Sequence, residues 1–158
     1  MQLVGRAALV TGGKRIGAAV AEALAEGGAD VALSFNRSRD EAERAAEAVR
    51  ARGRKAFIAP ADLSDPSACD QLVRDAVAAL GRLDVLVHMA SVYVKTPFDE
   101  LTVEDWDRAL AVDLRGAFLC ARAAVPEMRA QGGGRIVVFS DWTARGGRPT
   151  YKGYLPYY

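Results

Sequence analysis

The chain has 158 residues, of which 51% are apolar and 26% are charged, and this composition is typical of a single globular domain. Its formal net charge of +1 argues against a nucleic-acid partner, which would require a basic surface. No apolar run approaches the roughly 20 residues that span a bilayer, so we expect no membrane partner. Two cysteines, Cys69 and Cys120, are too few for a disulfide framework and favour a cytoplasmic location, and we expect no metal site.

Short apolar runs alternate with helical patterns along the chain. The apolar runs predict five strands, at residues 7–10, 31–35, 56–59, 85–87 and 136–139. The helical patterns predict four helices, at residues 16–26, 39–50, 65–80 and 102–129. Asp65 followed by Pro66 has the form of a helix start, and Thr102 begins a Thr-x-x-Asp sequence typical of a capping box.

The predicted strands are continuous apolar runs, as in a parallel sheet that helices cover on both faces. With right-handed crossovers, this order of elements predicts a doubly wound α/β sheet, the Rossmann fold, with strand order 3-2-1-4-5. We interpret residues 1–158 as one dinucleotide-binding domain. Residues 151–158 have the polar and aromatic composition of a loop, and we expect the protein to continue beyond them.

A glycine-rich segment, residues 11–17, lies between the first strand and the first helix. Gly12 and Gly13 permit a tight turn, and Gly17 permits close approach of the helix to the sheet. Because a helix N-terminus presents unpaired amides, this segment predicts a pyrophosphate site, although a plain turn is the alternative. The residues expected to contact the cofactor here are Gly12, Lys14, Arg15, Ile16 and Gly17.

The ends of the second and third strands carry further candidates. Arg37 and Ser38 follow the second strand, where an arginine accommodates the 2′-phosphate of NADP and an acidic residue would favour NAD. They favour NADP(H), although a solvated arginine that begins a surface helix is the alternative. Asp62 and Leu63 lie where an adenine could be held, and Asp62 could equally be a loop cap.

Together with the late Ser-Asp…Tyr segment, these motifs resemble the short-chain dehydrogenases/reductases, and within them the pteridine and dihydromonapterin reductases. The resemblance implies a catalytic tyrosine that opens a Tyr-x-x-x-Lys motif, with Tyr157 as the candidate and Tyr158 as the alternative. It also implies that Asp141, with Ser140 before it, contacts the substrate at the end of the fifth strand. An aspartate at that position is typical of pteridine reductases.

The resemblance implies that the segment after the fourth strand contacts both the cofactor and the substrate. Met89, Ala90 and Ser91 would contact the cofactor, and Ser91 and Tyr93 would contact a stacked substrate ring. Asp113 occupies the position of an asparagine that helps to hold a proton-relay water in the family.

Besides Asp113, three further departures from the family pattern are visible. The glycine segment is one residue shorter, the usual Asn-Asn-Ala-Gly is replaced at residues 88–91, and the segment from Asp141 to Tyr157 is longer. His88, at the end of a buried strand, is interpreted as a packed or backbone-bonded residue rather than a catalytic base.

The resemblance implies an NADPH-dependent oxidoreductase that transfers a hydride to a C=O or C=N group of a small molecule, with a pterin-like ring as the first candidate. The alternatives are a 3-oxoacyl-carrier-protein or generic carbonyl reductase and a non-catalytic nucleotide-sensing protein. Apolar residues on more than one face of the helix at 102–129 predict a homo-oligomer, a tetramer or a dimer.

Overall fold

The computed structural model describes residues 2–146 and 153–157, so Tyr158 lies outside the described residues. Five parallel strands form one sheet in the order β3-β2-β1-β4-β5, which confirms the predicted topology. The strands are β1 (Ala7–Thr11), β2 (Asp30–Phe35), β3 (Ala56–Pro60), β4 (Val85–His88) and β5 (Arg135–Val138).

Helices connect the strands and pack on both faces of the sheet. They are α1 (Ile16–Glu26), α2 (Arg39–Ala51), α3 (Pro66–Leu80), α4 (Val103–Ala109), α5 (Gly116–Ala130) and the short α6 (Thr143–Gly146). The predicted starts of two of them are confirmed: the Asp65 carboxylate accepts from the Ser67 amide, and Thr102 and Asp105 form a capping box. None of the helices among the described residues is long and apolar enough to cross a bilayer.

The helix predicted at 102–129 is interrupted at its centre. Between α4 and α5, residues Leu110–Arg115 form a π-helical turn, in which hydrogen bonds reach back five residues instead of four. The Gly116 amide, for example, donates to the Ala111 carbonyl. The prediction of one regular helix was therefore wrong in its middle, because the apolar spacing of this segment does not distinguish a helix from a helix with one widened turn.

Two apolar clusters hold the sheet between its helices. One face packs against α3 and α5, with Leu9, Leu83 and Leu86 fully buried there. The other face packs against α1 and α2 through Val10 and Val31. Cys69 and Cys120 are free thiols buried in the first of these clusters.

β5 departs from the prediction that helices cover both faces of every strand. All four of its residues are exposed, and the exposed apolar surface includes Ile136, Val137 and Val138. Leu114 and Phe118, on the helical segment that follows β4, are also exposed. The described residues cover this part of the sheet only in part, and the core lies mainly around the other four strands.

Asp84 fixes the edge of the sheet at which the strands begin. Its buried carboxylate accepts hydrogen bonds from Arg82, from Arg6 and from the Ala7 amide, at 2.7 to 2.9 Å. Its main chain bonds to Ala7 and to Arg135, which join it to β1 and β5. Burial raises the pKa of Asp84, but these hydrogen bonds outweigh burial and lower the pKa to about 2.

We expect Asp84→Asn to lower the free energy of unfolding at pH 7 by about 2 kcal/mol, since the native state lowers this pKa from 3.8 to about 2. The carboxylate stabilises the fold fully above pH 3.8, and this contribution is lost as the pH falls towards 2. Urea unfolding at pH 7 and near pH 2 measures the difference. A control at the exposed Asp99, Asp99→Asn, should change stability little at either pH, and an equal loss in both variants would contradict the assignment.

Candidate cofactor and substrate site

The candidate residues gather at the edge of the sheet where the parallel strands end. The chain passes from β1 to one side through β2 and β3, and returns to the other side through β4. The ends of β1 and β4, which are neighbours, therefore form the point where the strand order reverses. In open α/β sheets, ligands bind in the crevice outside such a point.

The glycine segment lies in this crevice and requires its glycines. Gly12 has φ of 81°, and a Cβ there would stand 3.2 Å from the Ala90 nitrogen. A Cβ at Gly17 would collide with the Gly12 carbonyl oxygen. The two glycines therefore let the segment close tightly against the loop after β4 and against the first turn of α1.

Arg15 is the residue immediately before α1, and it adopts φ of 54°. It is the one non-glycine with positive φ among residues 2–146 and 153–157. Such a conformation costs on the order of 1 kcal/mol and is found mainly at ligand sites. Its side chain is exposed and forms no cap, so the first amides of α1 have no side-chain acceptor from this residue. An anion could occupy that position.

Lys14 is directed towards α2 rather than towards the first turn of α1. Its Nζ lies 3.3 Å from the carboxylate of Glu41. Hydrogen bonds from the backbone and from Lys14 lower the pKa of Glu41, so this carboxylate stays charged. The sequence predicts that Lys14 contacts the cofactor, and to reach a phosphate its side chain would have to leave Glu41.

Arg37 and Ser38 stand together after β2. Arg37 is exposed, and Ser38 is the N-cap residue of α2 but its hydroxyl does not cap the helix. A serine at this position ordinarily bonds a first-turn amide. Because Ser38 does not, its hydroxyl is available for another partner. The pair offers a cation and a hydroxyl at the end of β2, which is the arrangement expected for a 2′-phosphate.

Asp62 and Leu63 follow β3 and have different environments. Asp62 is exposed and accepts from the amide and hydroxyl of Ser64 at 3.0 and 2.7 Å, and these bonds lower its pKa. Leu63 is buried, and its carbonyl packs against Gly116. The Asp62 geometry is that of the loop cap considered as the alternative, and only the main chain of Leu63 is available to an adenine.

Thr11 joins the ends of β1 and β4. Its hydroxyl oxygen accepts from the amides of Met89 and Ala90 at 2.9 and 3.0 Å, and it lies 3.3 Å from Nδ1 of His88. His88 is 3% exposed, and burial lowers its pKa, although the Val112 carbonyl and the Asp113 carboxylate favour the protonated ring. The histidine is therefore a packed neutral group, as interpreted from its position in the sequence.

Asp113 lies in the π-helical turn and reaches the loop after β4. One carboxylate oxygen accepts from the amide of Val92 at 3.1 Å. Val92 lies between Ser91 and Tyr93, the two residues assigned to the substrate. The Asp113 side chain therefore holds the loop that carries both of them.

Three tyrosines form an aromatic cluster next to this loop. The rings of Tyr93 and Tyr154 stack at 4.3 Å between centroids, and the Tyr157 ring meets Tyr93 edge-on at 4.8 Å. The amide of Thr96 also donates to the carbonyl of Gly153 at 2.6 Å. The structure thus brings the catalytic candidate Tyr157 against the substrate candidate Tyr93.

Tyr154 was not identified by sequence analysis. It precedes Tyr157 by three residues, a spacing at which two side chains can lie on the same side of a helical turn, and this was the signal available in the sequence.

Ser140 and Asp141 lie after β5, at the start of α6. Asp141 accepts from the amide of Thr143 at 2.8 Å, and Ser140 is exposed. Asp141 therefore caps the turn in this structure. Among the described residues, no group of three or more histidine, cysteine or carboxylate side chains could hold a metal ion.

Known proteins that this chain resembles show which family it belongs to. A sequence profile of the short chain dehydrogenases matches residues 6–155. Versicolorin reductase 1 of Aspergillus parasiticus is 40% identical over 144 residues, which cover 90% of this chain and 54% of that protein. A 3-oxoacyl-acyl-carrier-protein reductase of Staphylococcus aureus is 32% identical over 151 residues, which cover 95% of this chain and 61% of that protein.

A solved structure gives the same result at the level of the fold. The short chain dehydrogenase from Burkholderia cenocepacia in complex with NADP superposes with a TM-score of 0.88 at 35% identity, covering 99% of this chain and 63% of that one. This chain thus spans little more than half the length of the relatives it matches. From the profile match and the superposed fold together, the chain belongs to the short-chain dehydrogenase family.

Proposed function

We propose that the protein is an NADPH-dependent oxidoreductase that transfers a hydride to a carbonyl group of a small molecule. The observation that carries the proposal is the glycine segment at the strand-order reversal, together with Arg37 and Ser38 at the neighbouring strand end. The superposed relative solved with NADP supports this choice of cofactor. In this proposal, residues 1–158 are the dinucleotide-binding domain, acting in the cytoplasm.

The residues present fit this dinucleotide. A Cβ at Gly12 or Gly17 would fill the space that the glycine segment keeps open, and the first turn of α1 lacks a side-chain cap. The main chain at Arg15 and Ile16 would bind the pyrophosphate, with Lys14 available once it leaves Glu41. Gly12 and Gly17, whose amides donate to Ser34 and Lys14, would border it and keep its space open. Arg37 and Ser38 would bind the 2′-phosphate, Asp62 and Leu63 would border the adenine, and Met89, Ala90 and Ser91 would border the nicotinamide.

The bound dinucleotide supplies the hydride, and the chain supplies orientation and a proton. Tyr157 would donate its phenolic proton to the substrate oxygen as negative charge develops there. A free tyrosine has a pKa of about 10, so a neighbouring cation is needed to bring it into the working range. Tyr93 would pack on the substrate, Ser140 and Asp141 would bind its polar group, and Asp113 would hold the loop that carries Tyr93.

A carbonyl substrate is favoured by the named relatives, a versicolorin reductase and a 3-oxoacyl-acyl-carrier-protein reductase. A second candidate is the C=N bond of a pterin-like ring. It is favoured by the aspartate at position 141 and by the aromatic cluster around Tyr93. The third alternative, a nucleotide sensor without catalysis, has the same cofactor site and differs in having no use for Tyr157.

We also propose that the protein is a homo-oligomer, a dimer or a tetramer. Leu114 and Phe118 are 67% and 62% exposed on the helical segment between β4 and β5. Apolar side chains of this size on a helix surface are typical of a face that packs against a partner. Light scattering on the intact protein distinguishes an oligomer from a monomer.

We expect Arg37→Ala to weaken NADPH binding by about 1.5–3 kcal/mol, the scale of a charge-assisted hydrogen bond, which corresponds to roughly 10- to 150-fold in Kd. NADH, which lacks the 2′-phosphate, should bind almost as before. Titration with both nucleotides measures this, and Arg129→Ala, at the far end of α5, is the control. Equal losses for NADPH and NADH in Arg37→Ala would refute the assignment.

We expect Tyr157→Phe to reduce turnover by about 10²- to 10⁴-fold, because the variant lacks the proton donor and retains the ring that packs on Tyr93. NADPH affinity and thermal stability should stay close to wild type. The matched control is Tyr154→Phe, which preserves the stacked ring and should have a mild effect, as should Tyr158→Phe. Unchanged turnover in Tyr157→Phe would favour the non-catalytic alternative or a different proton donor.

The two substrate candidates predict different effects of Asp141→Ser. If Asp141 serves a ring C=N bond, the variant should lose kcat/KM for a dihydropterin much more than for a simple ketone, which needs only a neutral hydrogen bond. If Asp141 only caps the turn through Thr143, both reductions should fall alike and stability should fall with them. The ratio of the two kcat/KM values, in wild type and variant, decides between them. An unchanged ratio would leave the carbonyl reductase as the proposal.

A further inference from the structure

The hydrogen bonds of Thr11 determine which nitrogen of His88 carries the proton. A threonine hydroxyl has two acceptor lone pairs and one hydrogen. Both acceptor positions are used by the amides of Met89 and Ala90. The hydroxyl hydrogen therefore points to its third neighbour, Nδ1 of His88 at 3.3 Å. Nδ1 must accept, so the neutral ring is protonated at Nε2.

The protonated Nε2 is buried and has no hydrogen-bond partner of good geometry among the described residues. A buried donor without an acceptor costs about 1–3 kcal/mol, so an acceptor close to it is significant. The groups that act on this ring, besides Thr11, are the Val112 carbonyl and the Asp113 carboxylate. Both belong to the π-helical turn.

One carbonyl of the π-helical turn lacks an amide partner and can accept a hydrogen bond from another donor. Where hydrogen bonds widen from four to five residues and then return to four, one carbonyl is passed over and has no amide partner in the helix. The Gly116 amide bonds to Ala111, and the next carbonyl along the turn is that of Val112. The buried Nε2 on β4 thus lacks an acceptor, and the carbonyl that the return to four-residue spacing passes over is the one that acts on the His88 ring.

We propose that His88 is a positioning residue, whose neutral ring donates through Nε2 to the Val112 carbonyl and fixes the π-helical turn that carries Asp113. The Asp113 carboxylate in turn holds the Val92 amide, between Ser91 and Tyr93. With this proposed bond, the Thr11–His88 contact at one end and the Asp113–Val92 hydrogen bond at the other are connected through the π-helical turn to the candidate substrate loop. This connection joins the end of β1, beside the cofactor segment, to the loop that would contact the substrate.

The first experiment measures the protonation state of the ring directly. His88 is the one histidine of these 158 residues, and a long-range proton–nitrogen NMR spectrum of the intact protein, assigned with His88→Gln, reports both ring nitrogens. At pH 7 we expect a neutral ring with the proton on Nε2. A proton on Nδ1, or on both nitrogens, would overturn the proposal, and this result is independent of any enzymatic activity.

The second experiment distinguishes the role of Nε2 of His88 from that of Nδ1. In His88→Gln the side-chain amide nitrogen can take the place of Nε2, whereas the shorter side chain of His88→Asn reaches only as far as Nδ1, and leucine has neither group. Hydrogen exchange of the Val92 amide reports whether Asp113 stays in position. In His88→Asn and His88→Leu we expect this amide to exchange at least about tenfold faster than in wild type, and in His88→Gln we expect it to remain protected.

The amides of Met89 and Ala90, which bond to Thr11, provide the internal reference, and their exchange should change little in the three variants. Equal Val92 exchange in His88→Leu and His88→Gln would overturn the proposal, as would a rise that includes all three amides. The effect on catalysis rests on the proposed function: His88→Leu should lower kcat and leave the Kd for NADPH unchanged, with His88→Gln restoring kcat. Failure of this part alone would contradict the proposed reductase and not the role of His88.

Discussion

The hydroxyl of Thr11 closes the junction between β1 and β4, and the geometry of the candidate site depends on it. By accepting from two consecutive amides after β4, it fixes where the loop of residues 89–97 begins. The same loop approaches Gly12 so closely that a side chain there would not fit. The glycine segment and the loop after β4 are thus both set by one side chain at the point where the strand order reverses, and neither can shift without disturbing the other.

The order of strands and helices could be predicted from the sequence because it depends on local signals. Continuous apolar runs mark buried parallel strands, and capping residues such as Asp65 and Thr102 mark helix starts through bonds to residues two or three positions away. The π-helical turn at Leu110–Arg115 has no such signal, because the apolar spacing of this segment is compatible with a regular helix as well as with one widened turn. The exposure of β5 could not be predicted either, because it is set by the elements that pack against the strand and not by the strand's own apolar residues.

In the candidate site, too, features with a local sequence signal could be predicted, and contacts between distant residues could not. The glycine requirement at positions 12 and 17 follows from the motif, and the structure gives its reason in two short approaches of the main chain. The partner of Lys14 could not be predicted, because Glu41 comes from a different helix. Tyr154 joins Tyr93 only after the chain has passed around β5, so no local pattern connects the two rings. Of the residues assigned from the family resemblance, Tyr157 lies against Tyr93 and Asp113 bonds to the loop that carries Tyr93, and both contacts become known only in three dimensions.

The backbone conformation of Arg15 limits which substitutions the glycine segment can accept at this position. A glycine would adopt its φ of 54° without strain, yet the chain has an arginine there. Any exchange to glycine would relax the backbone and remove a positive charge in the same step, so local stability and attraction for an anion cannot be improved together at this position. The neighbouring cation, Lys14, is held by Glu41. Backbone strain is therefore the condition under which position 15 itself keeps a positive charge directly before α1.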